Sequence, residues 1–243
     1  MSLQISRSLA LSNIPKRKIT IALEDTLKNC EKCSSSNIKL TNACHKCNVI
    51  NDALQRYAKS NIPIRYWRLE FDNSFKGDGL LRKKYEEITS NLSKTYKEGK
   101  CICFAGSWGL GKTLTVSAIL KRAVETGYSG LYVTLNDIVS NMISTTSEDK
   151  SIATKELLMV DFLVIDEFDP RYMGSSQASD LFGRTMEYIF RTRVQNMLPT
   201  FLCTNSPNIV ESFSGSIKKS IDSLMNYTEM VPVLGKDMRK EGL

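Results

Sequence analysis

The 243 residues predict an α/β fold: a doubly wound parallel sheet with helices on both faces, preceded by a small four-cysteine module. Three observations lead there. An apolar strand ending at Ala105 runs directly into GSWGLGKT (106–113) and a helical pattern, and a second, Phe162–Ile165, ends on Asp166 and Glu167. Upstream of both, Cys30, Cys33, Cys44 and Cys47 form two C-x2-C pairs. At about 100–200 residues per domain, the length allows one full-sized domain and a small appendage. A composition of 42% hydrophobic and 24% charged residues is that of a globular chain and excludes disorder throughout. No apolar run approaches the roughly 18 residues of a membrane span, and the N-terminus lacks a signal-peptide pattern. The expectation is a soluble, cytoplasmic protein without a membrane partner.

The first 68 residues hold 12 Lys/Arg against 4 Asp/Glu, and the remainder 21 against 22, so the net charge of +7 sits in the first quarter. A basic module of this kind faces something anionic, nucleic acid or an acidic protein surface, unless it is only a solvated face. The four paired cysteines fit a zinc site or two disulfides. Without a signal peptide, and with Cys101, Cys103 and Cys203 inside apolar runs as buried free thiols would be, zinc is favoured. Each C-x2-C turn sets two thiolates on one side of a tight knuckle, and two knuckles close a tetrahedron. His45 is an alternative ligand to a neighbouring cysteine, or an exposed imidazole. The segment is too poor in apolar residues for its own core, so the metal is expected to supply its folding free energy, on the order of 10 kcal/mol. His45 is the sole histidine, which argues against Ser-His-Asp and Cys-His triads and against a multi-histidine catalytic zinc.

The strand, glycine-rich turn and helix around 101–125 supply the context of a phosphate-binding loop. Gly106, Ser107, Trp108, Gly109, Leu110 and Gly111 would wrap backbone N–H groups around the phosphates of ATP or ADP, with Lys112 on the β and γ oxygens and Thr113 on Mg2+. Asp166, at the end of its strand, is placed to hold the Mg2+ shell, and Glu167 to orient or deprotonate an attacking water. That second carboxylate favours hydrolysis over phosphoryl transfer to another substrate. Further periodicity predicts strands at 131–134, 200–204 and near 229–234, and helices near 136–145 and 176–194. Asn205 falls at the sheet edge where ligands bind, either as a γ-phosphate sensor or as a cap for the helix after Pro207. The stretch 65–76, RYWRLEFDNSFK, mixes basic and aromatic residues as a single-stranded DNA platform would. Packing against the core explains its aromatics equally, and Arg191 and Arg193 are competing DNA candidates.

The GSWGLGKT loop, GYSGLYVT, FLVIDEFD, LPTFLCTN and GKDMR (235–239), with Ile62-Pro63 and Phe71-Asp72-Asn73 ahead of them, together resemble the AAA+ ATPases of the DnaC/DnaI/IstB group. The resemblance covers about residues 55–243. It implies strand order 5-1-4-3-2, Asn205 as sensor 1 and Arg239 as a late phosphate-sensing arginine. The DnaI-like order of modules implies a basic zinc-binding module at 1–54, a linker at 55–78 and the ATPase at 79–243. It further implies an ATP-dependent loader of a hexameric DnaB-type replicative helicase onto single-stranded DNA, self-assembling or forming a 6:6-type complex on the helicase ring. A transposition helper of the IstB kind, or a nucleotide-switched interaction module with little turnover, are the alternatives. Two departures stand out: Ser223, near Lys218 and Lys219, occupies the usual arginine-finger position, and the chain stops at Leu243 with no room for a lid domain. Weak hydrolysis without partners is the expectation.

Overall fold

Five short runs rich in β-branched and aromatic residues make one sheet: β1 Cys101–Ala105, β2 Gly130–Thr134, β3 Phe162–Asp166, β4 Thr200–Thr204 and β5 Thr228–Pro232. The computed structural model describes residues 13–34, 42–71, 77–144, 146–172 and 176–238. All strand pairs are parallel, in the order β2-β3-β4-β1-β5, which is 5-1-4-3-2 read from the other edge. Strands β1, β3 and β4 are buried from end to end, as parallel strands covered on both faces must be.

Period-two alternation divides the sheet between two cores. Ile102, Phe104, Tyr132, Phe162, Val164, Phe201 and Cys203 face one side, and Cys103, Leu131, Val133, Leu163, Ile165 and Leu202 the other. On the first face lies α5 (Lys112–Glu125) with α1 (Lys16–Lys28), α2 (His45–Lys59), α3 (Gly79–Ser90) and α4 (Leu92–Glu98). The second is covered by α6 (Leu135–Ser144), α7 (Ser147–Met159), α8 (Ser176–Gln195), α9 (Ile209–Ser212) and α10 (Gly215–Met225). Helix α7, absent from the sequence expectation, is capped by Thr146, whose hydroxyl accepts from the Asp149 N–H at 3.2 Å. It buries only Ala153 and Leu157 among its described residues, too few for a readable stripe.

The N-terminal helices share the core of the sheet. Ile19, Leu23, Leu54 and Tyr57 belong to the same buried cluster as β1 and α5, and α2 runs unbroken through residues 54 and 55. At the C-terminal end of α5, Arg56 donates to the Val124 carbonyl at 3.1 Å and the Tyr57 hydroxyl to the Glu125 carboxylate. Beyond α2, the chain clasps the sheet edge: the Tyr132 N–H donates to the Ser60 carbonyl at 2.8 Å, and Asn61 Nδ2 donates to the Tyr132 carbonyl at 2.9 Å. Asn61 adopts φ 55°, a left-handed conformation that asparagine tolerates well.

The aromatics after Pro63 are engaged with this core. Trp67 is 3% exposed, meets Tyr57 edge-on and donates Nε1–H to the Ile62 carbonyl at 2.7 Å, and Phe71 packs on Tyr85. Residues 72–76, including Phe75, lie outside the described residues. Arg193 is also withdrawn from any DNA-binding role. It is fully buried, donating to the carbonyls of Leu157, Val160 and Pro199 and to Thr200 Oγ1 at 2.7–2.9 Å. Arg191 remains exposed, paired with Glu187.

Candidate functional site

The C-terminal ends of β1, β3 and β4 lie side by side, and the predicted phosphate-site residues meet there. The chain leaves β1 through Gly106 and turns into α5 with Gly109 and Gly111 at φ 76° and 91°. At Gly109 a side chain would be strained by the positive φ and would have to displace the Asp237 carboxylate packed against it. Leu110 is buried and roots the loop in the core, whereas Trp108 projects outward, 55% exposed, with the Arg171 guanidinium 5.5 Å from its ring centre. Lys112 opens α5 and is 6% exposed. Its Nζ donates to the carbonyls of Gly106 and Ser107, each at 2.7 Å, and to Asn205 Oδ1 at 3.0 Å. Asn205 thus faces the lysine across the loop, and the cap of α9 is Asn208. Thr113 follows Lys112 on the first turn of α5, half-buried.

Asp166 is 4% exposed and held by two donors: its Oδ2 accepts from the Tyr132 hydroxyl at 2.6 Å and its Oδ1 from the Glu167 N–H at 2.7 Å. Glu167 is exposed and sits at φ 50°. That conformation costs a non-glycine residue about 1 kcal/mol and recurs where a side chain must be aimed. The donor set suits a nucleotide with Mg2+: a helix N-terminus, a lysine, a hydroxyl and a carboxylate with lone pairs to spare. Burial pushes the thiol of Cys103, behind the loop, up to about 12, keeping it inert.

Sequence reasoning missed three contributors. Tyr132 betrays itself only as a polar-tipped aromatic in an otherwise aliphatic buried strand. The C-terminal segment returns to the loop, the Met238 N–H donating to the Gly109 carbonyl at 3.0 Å. Arg171 is fixed by both Asp169 oxygens, at 2.8 and 3.1 Å. Burial alone would raise the Asp169 carboxyl, but its bonds from Arg171 hold it below the ordinary range. Arg239 lies outside the described residues. Ser223 is exposed on α10, and Lys218 pairs with Glu211 at 2.7 Å.

The second cluster lies between α1 and α2. The sulfurs of Cys30, Cys33, Cys44 and Cys47 are all within 4.8 Å of one another. Tetrahedral zinc with Zn–S bonds of about 2.3 Å sets sulfurs about 3.8 Å apart, and Cys30 and Cys44 stand at 3.7 Å. The Cys44 N–H donates to the Cys33 sulfur. Cys44 caps α2, and the Cys47 N–H beside it brings its thiol down to about 7. The set fits a closed four-thiolate site, and His45 is not part of it. Among the described residues no helix is long and apolar enough to cross a membrane.

Comparison with known proteins agrees with this geometry. The sequence model of the family described as "IstB-like ATP binding protein" matches residues 40–195. The replicative helicase loader DnaC of Escherichia coli K12 is 28% identical over 151 residues, 60% of this chain and 56% of the relative. The replicative helicase loader DnaI of Bacillus subtilis 168 is 28% identical over 127 residues, 50% of this chain and 39% of the relative. The chain therefore spans about half the length, or less, of these curated relatives. A crystal structure of DnaI superposes with a TM-score of 0.57 at 18% identity, over 71% of this chain and 94% of that one. With more than half of its residues inside the matched region, the chain belongs to the family of IstB-like ATP binding proteins.

Proposed function

We infer that this protein is an ATP-dependent loader that places a hexameric DnaB-type replicative helicase on single-stranded DNA. The observation that carries the reading is the convergence of Lys112, Asp166, Glu167 and Asn205 at one sheet edge, in a chain whose curated relatives are replicative helicase loaders. In this reading the loop N–H groups and Lys112 bind the ATP phosphates, Thr113 and Asp166 hold Mg2+, and Mg2+ neutralises phosphate charge. Glu167 takes the proton of the attacking water, Asn205 senses the γ-phosphate, and Arg239 approaches it from the C-terminus. The four thiolates of 30–47 hold one structural zinc. The basic residues of 1–54 meet the helicase, single-stranded DNA runs over the ATPase domain at 79–243, and the complex assembles on the helicase ring.

The test has three parts. Lys112→Ala should abolish ATP binding, whereas Glu167→Gln should keep ATP affinity within about twofold and lower turnover by 10²-fold or more, the scale of general-base loss. Equal ATP affinity in the Lys112→Ala protein would overturn the phosphate-loop assignment. Pull-down of a DnaB-type helicase, followed by ATP-dependent transfer of that helicase to a single-stranded circle, tests the loader. A protein that binds ATP and the helicase but never turns over would instead be a nucleotide-switched interaction module.

A further inference from the structure

Asp166 is held by two donors, and the one on Oδ2 comes from a residue outside the familiar nucleotide motifs. Thr134 stands opposite Asp166 in the β2–β3 register. Tyr132, two residues earlier, therefore shares the face of Asp166 and lies diagonal to it, within reach of a long side chain. Its hydroxyl closes that diagonal at 2.6 Å. Tyrosine and carboxylate are 6% and 4% exposed, so water does not compete for the bond. With Oδ1 fixed by the Glu167 N–H and Oδ2 by Tyr132, the carboxylate plane cannot rotate freely, and each oxygen keeps a lone pair for a cation or its water.

Tyr132 is itself positioned from outside the sheet. Both of its backbone polar groups are engaged by consecutive residues, Ser60 at the end of α2 and Asn61 after it. Asn61 is steadied in turn by the Asn13 N–H, which donates to its Oδ1 at 3.1 Å. Helix α2 begins in the cysteine cluster, with Cys47 in its first turn. A contiguous set of bonds thus runs from the N-terminal helices to the carboxylate.

We propose that Tyr132 is a positioning residue for the Mg2+-binding carboxylate of Asp166, and that the Ser60–Asn61 clasp sets where Tyr132 stands. The proposal rests on the reading of Asp166 as the magnesium carboxylate. Groups that hydrogen-bond a metal ligand fix its orientation, and their loss typically weakens metal binding about 10- to 100-fold.

The experiment uses the full chain and a fluorescent ATP analogue, titrated in EDTA and across a range of Mg2+ concentrations. The wild type gives the Mg2+ concentration that half-restores tight binding. Tyr132→Phe, which removes one oxygen, should leave affinity in EDTA within about twofold and raise that Mg2+ midpoint about 10- to 100-fold. Asn61→Gly keeps the positive φ while deleting the side-chain half of the clasp, and should move the midpoint in the same direction by less. A Tyr132→Phe protein that loses thermal stability without moving its midpoint, or that binds Mg2+ more tightly, overturns the proposal. If Tyr132→Phe fails to fold, the Asn61→Gly midpoint decides, an unchanged value overturning it. Nucleotide binding by the wild type that ignores Mg2+ would instead overturn the reading of Asp166, a distinguishable failure.

Discussion

A guanidinium with no solvent exposure, such as that of Arg193, is stable only because its surroundings supply acceptors. Four carbonyls, of Leu157, Val160, Asp161 and Pro199, and the Thr200 hydroxyl surround it, and burial lowers its pKa to about 10, leaving it charged at neutral pH. Removing the cation takes away the donor that satisfies the Leu157 and Val160 carbonyls, while the Pro199 carbonyl keeps the Leu163 N–H. Arg193→Ala should therefore lose about 3 kcal/mol of stability or more in urea titrations, and Arg193→Lys should recover only part of it because an ammonium lacks the planar fork. A loss below about 0.5 kcal/mol, the surface-substitution range, would show that the network does not hold this edge together. The contrast with Lys112 explains what was legible at this scale. Lys112, Asp166 and Glu167 carry roles written in contiguous residues, so motif chemistry finds them. The roles of Arg193 and Tyr132 depend on Leu157, Val160, Asp166 and Asn61, far away in sequence, and only the fold brings those partners together.

Helices α1 and α2 behave as two halves each. The ends near the cysteines, Leu27, Cys33 and Cys47, form a cluster of their own, while Ile19, Leu23, Leu54 and Tyr57 are buried in the core against the sheet. The sequence expectation that metal supplies the folding free energy of the whole segment applies, on this packing, to the cysteine end alone. Chelation should make the backbone amides of residues 27–34 and 44–50 exchange rapidly with deuterium while those of 53–59 stay protected, as expected of separate cooperative units. Uniform loss of protection would mean that the metal organises the segment as one unit. Strands β1, β3 and β4 were readable because burial on both faces forces unbroken apolar runs. Helices α1 to α4 and α7 were not, because each buries a narrow stripe, and the surfaces that complete it are contributed by distant parts of the chain.

At the scale of the molecule, one core cluster joins Ile19, Leu23, Leu54, Tyr57, Ile62 and Trp67 to the sheet. Leu54, Tyr57, Ile62 and Trp67 are each no more than 5% exposed, and burial of each such side chain contributes about 1.5–3 kcal/mol. A truncated chain of residues 79–243 would uncover the surface they protect. It should melt well below the full chain and associate in light scattering; a monodisperse fragment with an unchanged melting temperature would mean that the N-terminal helices add nothing to the core. The linker expected at 55–78 comes from a resemblance in the order of modules, which cannot show that Ser60 and Asn61 replace a sixth strand. That replacement bears on polymerisation. A parallel sheet ends in two edges, each a template for pairing with another chain. Here the β2 edge is closed at Tyr132 by Ser60 and Asn61 and at Thr134 by the Asp137 carboxylate. On β5 the Val233 N–H points inward to Ala105, so the nitrogen of Pro232 faces outward, where proline has no hydrogen to offer. A ring or filament of this protein cannot extend the sheet from β2 without breaking the Ser60–Asn61 clasp, so contacts made through side chains and loops leave the nucleotide geometry unchanged from one assembly to the next.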